Sequence, residues 1–322
     1  MSDTLHKFLF DAGSGEKSPV RGEIVSLTES WRQIQQRHDY PTPVLRLLGE
    51  MVAASTLLSA NLKFDGALVM QIHGDGPVRL LVVECNADLT LRATVQLTAG
   101  ASIGDDADFT ELVNAGGNGR FVITLDSRDR KAGQRAYQGI VPLEGASIAQ
   151  ALEGYMRRSE QLDTQLWLAA DGEHANGLLL QRLPMAGGYS EPSTNSDREA
   201  STARAGEVWE RVLTFANTLE RNELLRVDPP TLMRRLFWEE TLAVFEPLPC
   251  AFRCSCTRER VAAMLVSLGE REVDETLAEV GGIHVNCEFC NKSYDFDTVD
   301  CAQLFATSNT IDGVRAAARL RH

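Results

Sequence analysis

Six of the chain's 7 cysteines fall in its last quarter, and four of them stand as two close pairs: Cys254 and Cys256 in FRCSCTRER, Cys287 and Cys290 in VNCEFCNKSY. Thirty residues separate the pairs. That spacer holds two runs of helical period, TRERVAAMLVSLG and EVDETLAEVGG, enough chain to fold back and bring the pairs together. Each pair can present two sulfurs to one ion, and a closed set of four soft thiolates selects Zn²⁺ over harder cations. A domain this small draws much of its folding free energy from such an ion, since structural zinc contributes on the order of 10 to 16 kcal/mol against a typical total of about 5 to 15. Oxidation of either pair removes two ligands at once, which turns a redox event into metal loss and local unfolding. A disulfide within C-x-C closes a tight, strained ring, so that pair is expected to be the harder one to oxidise.

The odd cysteine count fits a reducing compartment better than a secreted disulfide framework. No run of about 18 apolar residues occurs, and the opening MSDTLHKFLFDAGSGEKSP lacks a basic segment followed by a long apolar one, so neither a membrane span nor a signal peptide is expected and the protein is read as cytoplasmic. With 32 basic against 45 acidic side chains the net charge is −13. That charge argues against a bulk grip on phosphate backbones, and nucleic acid is not an expected partner. The remaining thiols read as bystanders: Cys85 ends a strand, Cys301 is a small core residue on a helix, and Cys250 in EPLPC is an uninvolved thiol that has the option of disulfide exchange or ligand substitution.

The expected fold class is α+β: an N-terminal β-sheet domain with packed helices, a helical linker, and a small C-terminal zinc-binding domain. Boundaries are expected at 1–185 for the α+β core, 186–248 for the polar and amphipathic helical linker, and 249–322 for the four-cysteine zinc redox-switch domain. LHKFLF and RGEIVSLT alternate as strands do. ESWRQIQQRH reads as a helix capped by Thr28, and TPVLRLLGEMVAASTLLSANL as a longer one with small residues for close packing. Two strands turn at Gly74-Asp75-Gly76-Pro77, LTLRATVQL adds another, RFVITLD and RAYQGIVPL form a hairpin, Ser147 caps a helix, and TQLWLAA turns into ANGLLLQRLP at Asp171-Gly172. The stretch from about 186 to 207 is polar and broken by Gly and Pro, a linker or loop. EVWERVLTFANTLERNELL and TLMRRLFWEETLAVF follow as amphipathic helices.

A catalytic reading lacks support. His73 stands before a tight turn, Ala115 to Arg120 fits no phosphate-binding glycine pattern, Ser159-Glu160 is not a persuasive candidate, and neither G-x-S-x-G nor H-E-x-x-H occurs, so no enzyme is expected. A zinc-ribbon nucleic-acid-binding regulatory protein is the alternative. It needs more basic charge around the cysteines than Arg258, Arg260, Arg271 and Lys292 supply among many acids.

FRCSCTRERV, VNCEFCNKSYDFD and their 30-residue spacer resemble the redox-regulated heat-shock holdase family, the 33 kDa chaperonins. LLGEMVAASTLLSANLKFDGALVMQIHGDGPVRLLVVEC, GNGRFVITLD, YQGIVPLEG, YMRRSEQLDTQLWLA, GLLLQRLP and LMRRLFWEE resemble it in the same order, so the likeness covers nearly the whole chain. The resemblance implies that Cys254, Cys256, Cys287 and Cys290 hold Zn²⁺ when reduced and that oxidation joins Cys254 to Cys256 and Cys287 to Cys290. It further implies an ATP-independent chaperone that binds unfolded or misfolded client proteins and is a homodimer when activated. Cys250, Cys301 and the polar stretch AGGYSEPSTNSDREASTARAG depart from the family's pattern without touching the four cysteines.

If the zinc domain packs on the helices of residues 208–245, its unfolding removes their neighbour. Val208, Trp209, Val212, Phe215, Leu219, Leu236, Phe237 and Trp238 are then the expected client-facing set, since burying each large apolar side chain is worth roughly 1.5 to 3 kcal/mol.

Overall fold

The fold is described from a computed structural model, which covers residues 3–11, 17–63, 65–129, 136–183 and 195–306. Of the linker or loop expected over about 186–207, residues 186–194 lie outside them. The chain divides into two compact units, Met1–Arg253 and Cys254–His322.

Along the first unit run β1 (Thr4–Asp11), β2 (Lys17–Leu27), α1 (Glu29–Gln35), α2 (Thr42–Ser59), β3 (Gly66–His73), β4 (Val78–Asn86), β5 (Thr90–Leu97), α3 (Phe109–Val113), β6 (Arg120–Ser127), β7 (Tyr137–Val141), α4 (Ile148–Tyr155), β8 (Thr164–Ala170) and β9 (Ala175–Arg182). Then come α5 (Asn195–Ala216), α6 (Arg221–Arg226), α7 (Pro229–Leu236), β10 (Leu242–Val244), β11 (Leu248–Pro249) and β12 (Ala251–Phe252). Two sheets result. The first has the order β10-β1-β2-β9-β8 with β11 also on β1; the second runs β12-β5-β4-β3-β6-β7. Pairing is antiparallel except for β12 on β5.

α2 is the hub of the first core. Val44, Leu48, Met51, Val52, Ala53 and Leu57 are fully buried, so this helix is apolar on nearly every side and packs between the two sheets. Gly49 permits its approach, for a Cβ there would lie 2.4 Å from that of Ala170. The expected Thr28 cap is absent. Asp3, 25 residues upstream, takes its place, its carboxylate accepting hydrogen bonds from the N–H groups of Thr28, Glu29 and Ser30 at 2.7, 2.9 and 2.6 Å. Ser147 does cap α4, accepting from Gln150 N.

The other face of the first sheet carries a second core, and that face decides what the linker helices do. Phe8, Phe10, Val20, Ile24, Leu178 and Leu180 project from it against Val208, Trp209 and Val212 of α5, Leu224 and Leu225 of α6, and Leu232, Leu236 and Phe237 of α7 and its end. Phe237 lies edge-on to Phe10 at 5.0 Å between ring centroids and tilted against Phe8 at 5.7 Å. β9 is consequently buried on both faces, which accounts for its three consecutive leucines, Leu178 to Leu180. The polar stretch from 195 onward is helix, not loop, and the long helix expected over 208–225 breaks after Ala216, restarting at Glu220 with a capping box to Glu223. Helix was also expected to continue to 245. It stops at Leu236, because the next residues turn and Leu242–Val244 take the free edge of β1, Val244 facing Phe8. Residues 242–252 thus strap the first sheet and end on the second.

Polar contacts fasten the layer. Asn176, buried in β9, accepts from Leu27 N at 3.1 Å and donates to Leu224 O at 2.8 Å. Arg226 pairs with Asp171 at 2.7 Å and Glu173 at 2.6 Å. His6 is buried on β1 beside Met233 and Phe237. Burial holds its imidazole below the usual range, with Asp228 at the start of α7 pulling the other way. A histidine released from this site titrates near 6.5. Its contribution to docking is therefore complete above that pH and is lost as pH falls toward the depressed native value. Hydrogen exchange of the α7 amides, corrected for intrinsic rates, is expected to speed up on going from about pH 7.5 to 5.5, and His6→Gln to flatten that slope. An equal slope in the variant would rule out His6 as its origin.

The second unit contains α8 (Arg258–Leu268), α9 (Glu270–Val280), β13 (Ile283–Asn286) and β14 (Ser293–Phe296), the two strands pairing as a hairpin. Its core is small: Leu265, Val273, Leu277, Ile283, Tyr294, Phe296, Cys301 and Phe305. No described helix is long and apolar enough to cross a membrane.

Candidate metal centre

Cys254 and Cys256 lie in the extended chain just before α8, whose start is fixed by Thr257 accepting from Arg260 N. Cys287 and Cys290 occupy the turn of the β13–β14 hairpin. Cys287 N bonds Lys292 O at 3.0 Å and Asn291 N bonds Cys287 O at 2.8 Å, with Asn291 in the left-handed region at φ 57° that asparagine tolerates. The hairpin turn and the approach to α8 meet, so all four sulfurs lie within 4.8 Å of one another. Cys254 Sγ is 3.6 Å from Cys287 Sγ and Cys256 Sγ is 3.3 Å from Cys290 Sγ.

This geometry fits a tetrahedral metal. Sulfurs held at about 2.3 Å from one ion stand about 3.8 Å apart, close to the spacings found. The electrostatics fit as well. Burial disfavours charge on Cys256, but hydrogen bonds from the Tyr294 hydroxyl and then from Cys290, Cys254 and Cys287 outweigh it and bring this thiol down to about 7. Burial pushes Cys290 up to about 12, helped by its sulfur neighbours, and raises Cys254 in the same way. One thiolate is thus favoured and its neighbours resist joining it. A dication relieves that repulsion and lets all four serve as ligands.

The other thiols are placed elsewhere. Cys85 and Cys250 belong to the main core of the first unit, where burial drives both thiols up, Cys85 to about 12, and Cys301 is buried in the core of the second. Of the discarded catalytic candidates, His73 is exposed at the end of β3, while Glu160 accepts from the Tyr155 hydroxyl at 3.0 Å, a structural tie. The expected client-facing residues are mostly covered: Val208, Trp209, Val212, Leu236 and Phe237 are buried, Phe215 and Leu219 half-buried. Trp238 differs, standing 74% exposed beside Val244 and Phe245 at 54% and 50%. Sequence reasoning missed Tyr294, whose hydroxyl donates to Cys256 Sγ at 3.1 Å. Its place four residues after Cys290 was visible; that β14 would aim it at the other pair was not.

Comparison with known proteins follows the same outline. The pattern of the Hsp33 protein family matches residues 3–297. The chain is 46% identical over 314 residues to the 33 kDa chaperonin of Methylobacillus flagellatus, covering 97% of this chain and 98% of that one. It is 47% identical over 306 residues to the 33 kDa chaperonin of Pseudomonas aeruginosa, covering 95% of each. In fold it is similar to the crystal structure of the 33 kDa chaperonin of Thermotoga maritima, with a TM-score of 0.72, 22% identity, and coverage of 95% of this chain and 99% of the other.

Proposed function

The chain belongs to the Hsp33 family, whose function is that of a chaperone, and from that premise we propose that it is a redox-regulated, ATP-independent holdase of the cytoplasm. Reduced, Cys254, Cys256, Cys287 and Cys290 hold Zn²⁺, which staples a unit whose own core is too small to fold unaided. On oxidation two thiolates form one S–S bond and give up two electrons; a peroxide takes them with two protons, its O–O bond breaks, and water leaves. Two ligands are gone for each disulfide. The pairing that the family implies is Cys254 with Cys256 and Cys287 with Cys290.

The observation that carries this reading is the convergence of four sulfurs from two distant segments on one point. The linker supplies the output. α5, α6 and α7 form a removable layer over an aromatic and aliphatic sheet face, and their strap ends in β12, a two-residue strand that stops two residues before Cys254. Short strands with few hydrogen bonds are the first to fray. An unfolded tail beginning at Cys254 loosens β12, then β11 and β10, and the helices lift from Phe8 and Phe10. Clients then meet both faces of the opened layer, with exposed Trp238 and Phe245 at its rim. The net charge of −13 keeps the opened protein soluble. Pairing of two opened copies into a homodimer belongs to the same proposal.

The alternative nucleic-acid reading is weakened by how the basic side chains are used. Arg258 lies over the Phe296 ring at 4.2 Å and binds Asp300 at 2.8 Å, and Lys292 lies over Tyr294.

The test follows zinc release and light scattering together, with peroxide and mild heat applied before an unfolding client is added. Release of the metal followed by suppressed aggregation is expected. Zinc loss with no suppression would reduce the centre to a redox-sensitive staple, and salt-dependent binding of DNA or RNA would favour the alternative.

A further inference from the structure

Thiolate ligands carry more negative charge than their metal neutralises, and donors aimed at the sulfurs disperse the excess and fix their direction. Two of the sulfurs receive such donors from the backbone of their own pair's segment: Cys256 N–H faces Cys254 Sγ and Lys292 N–H faces Cys290 Sγ. These belong to the local turns. For Cys256 the donor is a side chain from the opposite half of the centre, the Tyr294 hydroxyl at 3.1 Å.

Tyr294 is well placed to hold that bond. It lies on β14 opposite Val285, its ring is buried in the small core with Phe296 and Leu265, and Lys292 Nζ stands 5.3 Å from the ring centroid. Packing fixes both side-chain torsions, so the hydroxyl has little freedom to leave the sulfur. The bond also ties the hairpin to the chain entering α8, across the two cysteine pairs. A hydrogen bond to a thiolate withdraws electron density and makes it a weaker nucleophile toward an oxidant.

Resting on the reading that the four cysteines hold zinc, we propose that Tyr294 is a positioning residue for Cys256: its hydroxyl orients the sulfur toward the metal and restrains its reaction with oxidant. Tyr294→Phe keeps the ring and removes only the bond.

The test uses the full reduced chain. Competition with a chromophoric chelator is expected to show zinc affinity falling about 10- to 100-fold in Tyr294→Phe, the usual range for lost outer-shell partners. In the Co²⁺-loaded protein the thiolate-to-metal charge-transfer band should move to lower energy, and peroxide should release zinc faster than from the parent. Phe296→Leu separates the hydroxyl from packing: it loosens the same core, so the melting temperature should drop while the cobalt band stays in place. Affinity within twofold of the parent together with an unmoved band overturns the proposal, as does an equal band shift in Phe296→Leu. A parent that binds no stoichiometric zinc overturns it along with the reading beneath it, an outcome recognisable because it precedes any substitution.

Discussion

Replacing Cys290 by serine is expected to cost the second unit its fold even in a fully reducing solution, while the main core of the first unit, around α2, stays folded as in the parent. The serine hydroxyl is a poor ligand for Zn²⁺ beside three thiolates, and a three-sulfur site holds the ion far less tightly. The core behind it has eight buried residues, one of them Cys301 and another the polar-tipped Tyr294, so it cannot replace about 10 kcal/mol or more of metal-linked free energy. The first unit keeps its main core around α2. Hydrogen exchange should therefore show residues 254–306 unprotected and α2 unchanged. The same chain should suppress aggregation without oxidant. Protected amides throughout the second unit of Cys290→Ser would show that the metal is not its staple.

The second large effect comes from the other end of the proposed relay. Phe237 is 1% exposed and makes ring contacts with both Phe8 and Phe10, so Phe237→Ala should weaken linker docking by about 3 to 5 kcal/mol, the usual cost of a lost core phenylalanine. It removes the aromatic centre of the second core and leaves the layer to its aliphatic contacts, Asn176, Arg226 and a few short strands. The variant should hold its zinc, lose protection in α5 to α7, and capture clients while reduced. Trp238→Ala is the contrast. At 74% exposure it should change docking by no more than about 0.5 kcal/mol yet weaken client capture by the opened protein. Unaltered exchange in α7 of Phe237→Ala would mean that the aromatic contact does not hold the layer.

The convergence of the four cysteines was legible because it is written as spacing: C-x-C, C-x-x-C and a spacer with two helical periods leave few other arrangements. Ser147 and the turn at Asp171-Gly172 were legible for a similar reason, each acting on its immediate neighbours. What escaped depended on distant chain. Thr28 looks like a cap, but Asp3 wins because β1 delivers a carboxylate to three bare N–H groups at once. TLMRRLFWEETLAVF has helical period throughout, yet the free edge of β1 offers Leu242–Val244 backbone partners that end the pattern. Within the first unit the linker helices also have a cover that the sequence reading did not name. It is found on the first sheet, and ANGLLLQR already carried that message, since three consecutive leucines put apolar side chains on both faces of a strand, each of which needs a lid.

The central claim is a coupling: electrons removed from four sulfurs lift helices off a sheet in the other unit. Hydrogen–deuterium exchange of the whole chain, read peptide by peptide during peroxide treatment at mild heat with zinc release followed in parallel, tests it most directly. The account predicts that residues 254–306 lose protection as zinc leaves, that α5, α6 and α7 follow, and that α2 stays protected throughout. Complete zinc release with α5 to α7 still as protected as in the reduced protein would contradict it.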